Sequence, residues 1–152
     1  MKFYIIIFSI AIAGCNGNEE RSSGTSTVLP PVYSKANLSP GCYRMIVGRD
    51  SAIMNLNLNG DSVTGTLQYN RFEKDDNAGN FAGKIDSSKV ILWYKFQSEG
   101  VITVRQVIFK ITGDKLAEGY GDVNAVGDTA YFTYPHTLNY EEAHPFEKIT
   151  CP

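Results

Sequence analysis

Between Cys42 and Tyr134 apolar and polar residues alternate in short segments, broken at Gly60-Asp61, Ser87-Ser88, Glu99-Gly100 and Gly113-Asp114. Two-residue breaks between alternating segments are hairpin signals. No segment repeats apolar residues at helical spacing, and none carries a long run of helix formers. The pattern predicts an all-β chain.

The hairpins check one another. A turn at Gly60-Asp61 sets Leu58 opposite Val63, Leu56 opposite Gly65 and Met54 opposite Leu67. A turn at Ser87-Ser88 pairs Ile85 with Val90, Gly83 with Leu92 and Phe81 with Tyr94. A turn at Glu99-Gly100 pairs Phe96 with Thr103, Tyr94 with Arg105, Leu92 with Val107 and Val90 with Phe109. A turn at Gly113-Asp114 pairs Phe109 with Glu118, Val107 with Tyr120 and Arg105 with Asp122. One face runs through four consecutive strands without conflict, whereas a one-residue slip would turn every side chain over.

Adding Cys42–Val47 before and Ala130–Tyr134 after gives about eight strands in antiparallel up-and-down order. Such a meander hides its edges best by closing, so a lipocalin-like barrel is expected, with a two-sheet sandwich as the alternative. Residues 135–152 read as an irregular tail or short helix, then a short strand, Phe146–Ile149, reaching back to the first strand. The tight turns near 60, 87 and 113 share one end. The loop at 71–79, the turn at 99 and the connection at 124–128 share the other, which is charged: Glu73, Lys74, Asp75, Asp76, Glu99 and Asp128. Glu73, Lys74, Asp75 and Glu99 are therefore candidate interaction residues.

The first residues follow another rule. Met1-Lys2, an apolar run to Ala13 and Gly14-Cys15 read as a signal peptide over 1–14, too short to span a membrane comfortably. Ile12-Ala13-Gly14-Cys15 resembles the lipobox of bacterial lipoproteins, which implies that Cys15 carries the lipid and becomes the first residue. Residues 15–39 are rich in Asn, Gly, Ser, Thr and Pro, with too little apolar surface to offset ordering entropy, and are expected to form a tether. Glu19-Glu20 resembles the surface-export signal of Bacteroidetes lipoproteins, or is simply a solvated acidic pair. The expected place is the cell envelope, on the outer membrane of a Gram-negative bacterium. Residues 40–152 are expected to form one β-domain.

Composition narrows the partners. With 14 basic and 16 acidic residues the formal net charge is −2. No basic run or face is present, so nucleic acid is not expected. Beyond Cys15 the cysteines are Cys42 and Cys151, which bracket the folded region. In an oxidising compartment they are expected to pair, closing a loop of about 110 residues worth about 4 kcal/mol. Neither has a second ligand at metal spacing, and no metal or cofactor is expected. Asp75-Asp76-Asn77-Ala78-Gly79-Asn80 lacks the spacing of a calcium loop and reads as a turn. His136 and His144 read as surface residues.

One constellation carries chemistry. Parity places Arg105, Glu118 and Asp122 on the inner face, with Tyr94 and Tyr120 beside them. Buried charge is costly unless paired. Either Arg105 pairs with Asp122 across the hairpin, or with Glu118, as an ion pair fixing register; or the five residues line an aromatic pocket in which Arg105 holds an anionic group. No nucleophile–base pair is evident, so an enzyme is not expected.

Phe72-Glu73-Lys74-Asp75 with Asn77 and Gly79, Ser98-Glu99-Gly100, Val104-Arg105 with Val107 and Phe109-Lys110, and Asp114-Lys115-Leu116 with Glu118-Gly119-Tyr120-Gly121 resemble the pattern of a group of small uncharacterised Bacteroidetes lipoproteins. The likeness runs from Gly41-Cys42-Tyr43 to the Glu-Gly-Tyr-Gly segment, roughly residues 41–122. It implies surface-lipoprotein status and no particular activity. Together these readings lead to a lipid-anchored, non-enzymatic module binding a small or amphiphilic ligand inside a barrel. The alternative is an interaction module, an inhibitor or accessory subunit of an envelope complex.

Overall fold

The computed structural model describes residues 38–98 and 100–152. The expected signal peptide, the expected lipidation site Cys15 and nearly all of the expected tether lie outside the described residues, as does Glu99. Among the described residues the chain is all-β. Its strands are β1 (Gly41–Val47), β2 (Asp50–Asn59), β3 (Ser62–Asn70), β4 (Asn77–Asp86), β5 (Lys89–Ser98), β6 (Val101–Thr112), β7 (Lys115–Tyr120), β8 (Val123–Val126), β9 (Thr129–Phe132), β10 (Asn139–Tyr140) and β11 (Glu147–Ile149).

β1 through β7 form the meander read from the hairpins. Leu58 faces Val63, Met54 faces Leu67, Phe81 faces Tyr94, Tyr94 faces Arg105 and Phe109 faces Glu118. The inner face collects Tyr43, Met54, Leu56, Val63, Leu67, Val90, Leu92, Phe109 and Leu116 into one buried cluster. Alternation puts these residues there, and their removal from water is the main term holding the sheet in its curl.

The closed barrel is not found. The ladders run as an open path, β10-β7-β6-β5-β4-β3-β2-β1-β11, in a single sheet of eleven strands rather than about eight. Nor is this sheet the two-sheet sandwich held as the alternative. β7, next to one end of this path, meets the residue before β11 at a single bridge between Leu116 and Phe146, with N···O distances of 2.8 and 3.1 Å. The tail follows β7 through β10, leaves it, and returns as the three-residue β11 against β1. Pro145, just before Phe146, has no N–H to give to a ladder, so a full closing strand is interrupted there.

The expected last meander strand is also corrected. Residues 129–132 form β9, which pairs antiparallel with β8 and parallel with β6 at Val104 and Arg105. The β6–β7 ladder accordingly stops at Phe109 and Glu118, so Val107–Tyr120 and Arg105–Asp122 are not cross-strand pairs.

The tail does more than expected. Phe146 is fully buried, edge-on to Phe109 with centroids 5.3 Å apart. The short strand back to the first strand is present as β11. Cys42 and Cys151 form a disulfide with Cα atoms 5.1 Å apart. Upstream, Leu138 lies against the outer side of β7. A β-carbon at Gly119 would stand 2.9 Å from one Leu138 methyl, and one at Gly121 would stand 2.7 Å from the other. The two glycines make room for that contact. Ile108, Ala117 and Leu138 are buried outside the main cluster, on a face that alternation alone assigns to solvent.

Candidate functional site

The inner face changes character along its strands. Past Leu67 on β3 comes Tyr69; past Leu92 on β5 comes Tyr94; past Val107 on β6 comes Arg105; past Leu116 on β7 come Glu118 and Tyr120. Glu118 is buried, 6 % exposed. The Tyr69 hydroxyl donates to its Oε1 at 2.8 Å, and an Arg105 guanidinium nitrogen lies 3.6 Å from the same oxygen. That second contact is an ion pair longer than a hydrogen bond. Glu118 Oε2 is buried without a hydrogen-bond partner among the described residues. A buried carboxylate oxygen so placed carries a desolvation cost that no hydrogen bond of its own offsets.

Aromatic rings hold the guanidinium. Arg105 lies 5.0 Å from the Tyr69 ring centre and 5.8 Å from that of Tyr94, within cation–π range. The Tyr94 hydroxyl is fixed in turn, donating to the Leu67 carbonyl at 2.9 Å and lying 3.0 Å from Asn77 Oδ1. Tyr94 also stacks on Phe96, 4.9 Å between centroids.

Titration follows burial. Desolvation raises the Glu118 carboxyl above its ordinary range, against the lowering pull of Arg105 and the neighbouring tyrosine hydroxyls. Burial works against the Arg105 charge, but Tyr69 and Glu118 more than offset it and raise its pKa. Desolvation, then the Glu118 charge, holds Tyr69 well above its usual value. Desolvation pushes Tyr94 up to about 12.

Two clefts flank Tyr120, which is half-exposed. One, of about 260 Å³, is walled by Arg105, Glu118, Tyr120, Val123, Ala130 and Phe132, where β7 leaves β6 and the β8–β9 hairpin stands alongside. The other, of about 280 Å³, includes Met45, Tyr69, Arg71, Lys74, Tyr120 and Glu141. Both are clefts at the polar end of the sheet; the apolar end is packed with side chains.

The structure therefore joins Tyr94, Arg105, Glu118 and Tyr120, as parity predicts, and leaves out Asp122. Asp122 is exposed, and its carbonyl accepts the Thr133 amide at 2.8 Å. Of the two partners considered for Arg105, Glu118 is the one in contact. In the charged loop, Lys74 reaches the second cleft while Glu73 and Asp75 are exposed. Glu99 lies outside the described residues. The loop itself is tied down: the Phe72 amide donates to Asp50 Oδ1 at 2.8 Å, the Arg71 amide to Asp76 Oδ1 at 2.9 Å, and Arg49 covers the Phe72 ring. Tyr69 is the residue the sequence reading missed. The signal was present, since the same parity that places Leu67 inside also places Tyr69 there, opposite the small Ala52.

The fold and site define a disulfide-locked, all-β domain with a packed apolar end and a polar aromatic end. No family model, curated protein or solved structure matches the chain.

Proposed function

We propose that the protein is an exported lipoprotein, anchored through Cys15, whose β-domain is a non-enzymatic module binding a small ligand with an anionic group at Arg105. The carrying observation is the guanidinium itself. It stands in a cleft wall between two tyrosine rings, 27 % exposed, and its one acidic contact among the described residues is 3.6 Å long. A guanidinium keeps its charge at any physiological pH and offers a planar fork to carboxylate or phosphate. The packed apolar end argues against a long amphiphilic guest inside the sheet and favours a ligand sized to a cleft of about 260 Å³. The lipobox, the tether and the resemblance to small Bacteroidetes lipoproteins support the anchored half of the proposal. Thermal-shift screening of small carboxylates and phosphates tests the binding half. An Arg105→Ala variant that stays folded is expected to lose the shift; an unchanged shift refutes the assignment. Fatty-acid labelling that disappears in Cys15→Ser tests the anchor.

A second reading, an interaction module, is favoured by β8. Among the described residues it pairs on one side only, with β9, and all four of its residues are exposed, Val123 and Val126 included. An uncharged, unpartnered edge is a ready template for an extended segment of another protein. Under this reading Val126→Lys abolishes co-purification of an envelope partner while Arg105→Ala does not.

A further inference from the structure

The cleft beside Tyr120 holds two opposite charges, each with capacity unused. Arg105 meets its acidic neighbour at 3.6 Å, beyond hydrogen-bond length, so its fork remains open to an acceptor. Glu118 spends Oε1 on the Tyr69 hydroxyl and keeps Oε2 buried without a donor. Both residues wall the same cleft; apart from Tyr120 and from Gln106, whose Oε1 accepts the Phe132 amide at 3.1 Å, its remaining wall is small or apolar, with Val123, Ala130 and Phe132.

A lone anion would answer Arg105 only by weakening its hold on Glu118, leaving a buried carboxylate less compensated. A lone cation would compete with Arg105 for Glu118. A ligand carrying both charges side by side answers both. Its anion lies on Arg105 and its cation on Glu118, antiparallel to the internal pair, so four alternating charges close on themselves. In an α-amino acid the amino nitrogen and carboxyl carbon are about 2.5 Å apart, close enough to serve one Arg–Glu pair. We propose that this cleft binds a small zwitterion, an α-amino acid with an apolar side chain. Its carboxylate is taken by Arg105, its ammonium by the Glu118 carboxylate, which turns to bring the buried Oε2 to the cleft, and its side chain lies against Val123, Ala130 and Phe132. This rests on the assignment of Arg105 as an anion seat and adds the second seat and the ligand class.

The test is calorimetric titration of the full-length protein, disulfide intact, with L-valine, 3-methylbutanoate, which lacks the amine, and 2-methylpropylamine, which lacks the carboxylate. L-valine is expected to bind, with each single-charge analogue weaker by about tenfold or more, the worth of one charge-assisted hydrogen bond. Glu118→Gln is expected to bring L-valine to the level of 3-methylbutanoate; because the comparison among ligands uses the unaltered protein, it stands even if that variant fails to fold. Equal binding of 3-methylbutanoate and L-valine overturns the zwitterion and leaves the anion seat in place. Binding of inorganic phosphate without L-valine does the same. No binding of L-valine, 3-methylbutanoate or phosphate overturns both.

Discussion

At the end of the sheet bounded by the turns at 60, 87 and 113, the inner face carries Leu58, Val63, Ile85, Val90, Ile111 and Leu116. A few residues along the same strands it carries Tyr69, Tyr94, Arg105 and Glu118. Both ends are built by the same alternation, yet their energetics differ. The first is held by apolar area and close packing, which are insensitive to pH and need no partners. The second is held by directed bonds, and one of its oxygens has none. The apolar end fixes the register; the polar end inherits that register and uses it to bring together four side chains from four strands.

Substitutions can break this contrast or sharpen it, from the largest effect down. Phe146→Ala removes a fully buried ring from the apolar end and should cost about 3–5 kcal/mol by denaturant unfolding, equally at acidic and neutral pH. A cost that changed with pH would mean the two ends are not separable. Cleaving Cys42–Cys151 frees the tail that carries this ring, and should cost about 2–5 kcal/mol by unfolding with and without reductant. Tyr94→Phe acts at the other end. It removes the donor to the Leu67 carbonyl and should cost about 1–2 kcal/mol while leaving the strands intact by circular dichroism.

Glu118 gives the polar end its pH signature. Its carboxyl titrates above the unfolded value, so between the ordinary carboxyl range and that raised value the folded state binds more protons than the unfolded one. Stability contributed by Glu118 is therefore present below the ordinary range and falls as pH rises through the raised value. Melting curves across this window should show that fall, and Glu118→Gln should remove it. The smallest change expected is at a turn of the apolar end. Ser87 opens its two-residue turn at φ 56°, where the turns at 60 and 113 place glycine. Ser87→Gly should stabilise by up to about 1 kcal/mol in the same unfolding experiment, and a loss would mean that the serine side chain contributes more than its backbone strain costs.

The contrast also marks how far the sequence was legible. Seven strands, the registers of the hairpins turning at 60, 87 and 99, and the Phe109–Glu118 pair of the hairpin at 113 followed from period-two alternation and two-residue turns, because both are local signals. Tyr94, Arg105 and Glu118 were legible for the same reason. The reading failed from Tyr120 onward. There β6 takes β9 as a parallel neighbour and β7 takes β10, pairings between distant segments that alternation cannot encode. Asp122 was misplaced for that reason. Ile108 is buried on the face that alternation leaves to solvent, the same face on which Leu138 packs against Gly119. Closure stops at the Leu116–Phe146 bridge, and Pro145 beside it has no N–H to extend a ladder.

The position of Cys42 has a mechanical consequence. The described chain enters at Leu38, reaches β1 within a few residues and is bonded there to Cys151, near its other end. Tension applied between residues 38 and 152 is thus carried by a covalent bond and never loads the hydrogen-bond ladders between. With the bond intact such a pull can lengthen only the few residues outside it. Once the bond is reduced, the 109-residue separation between the cysteines becomes available, about 360 Å of contour. The described domain is in this way inextensible end to end, and only a change in redox state makes it yield.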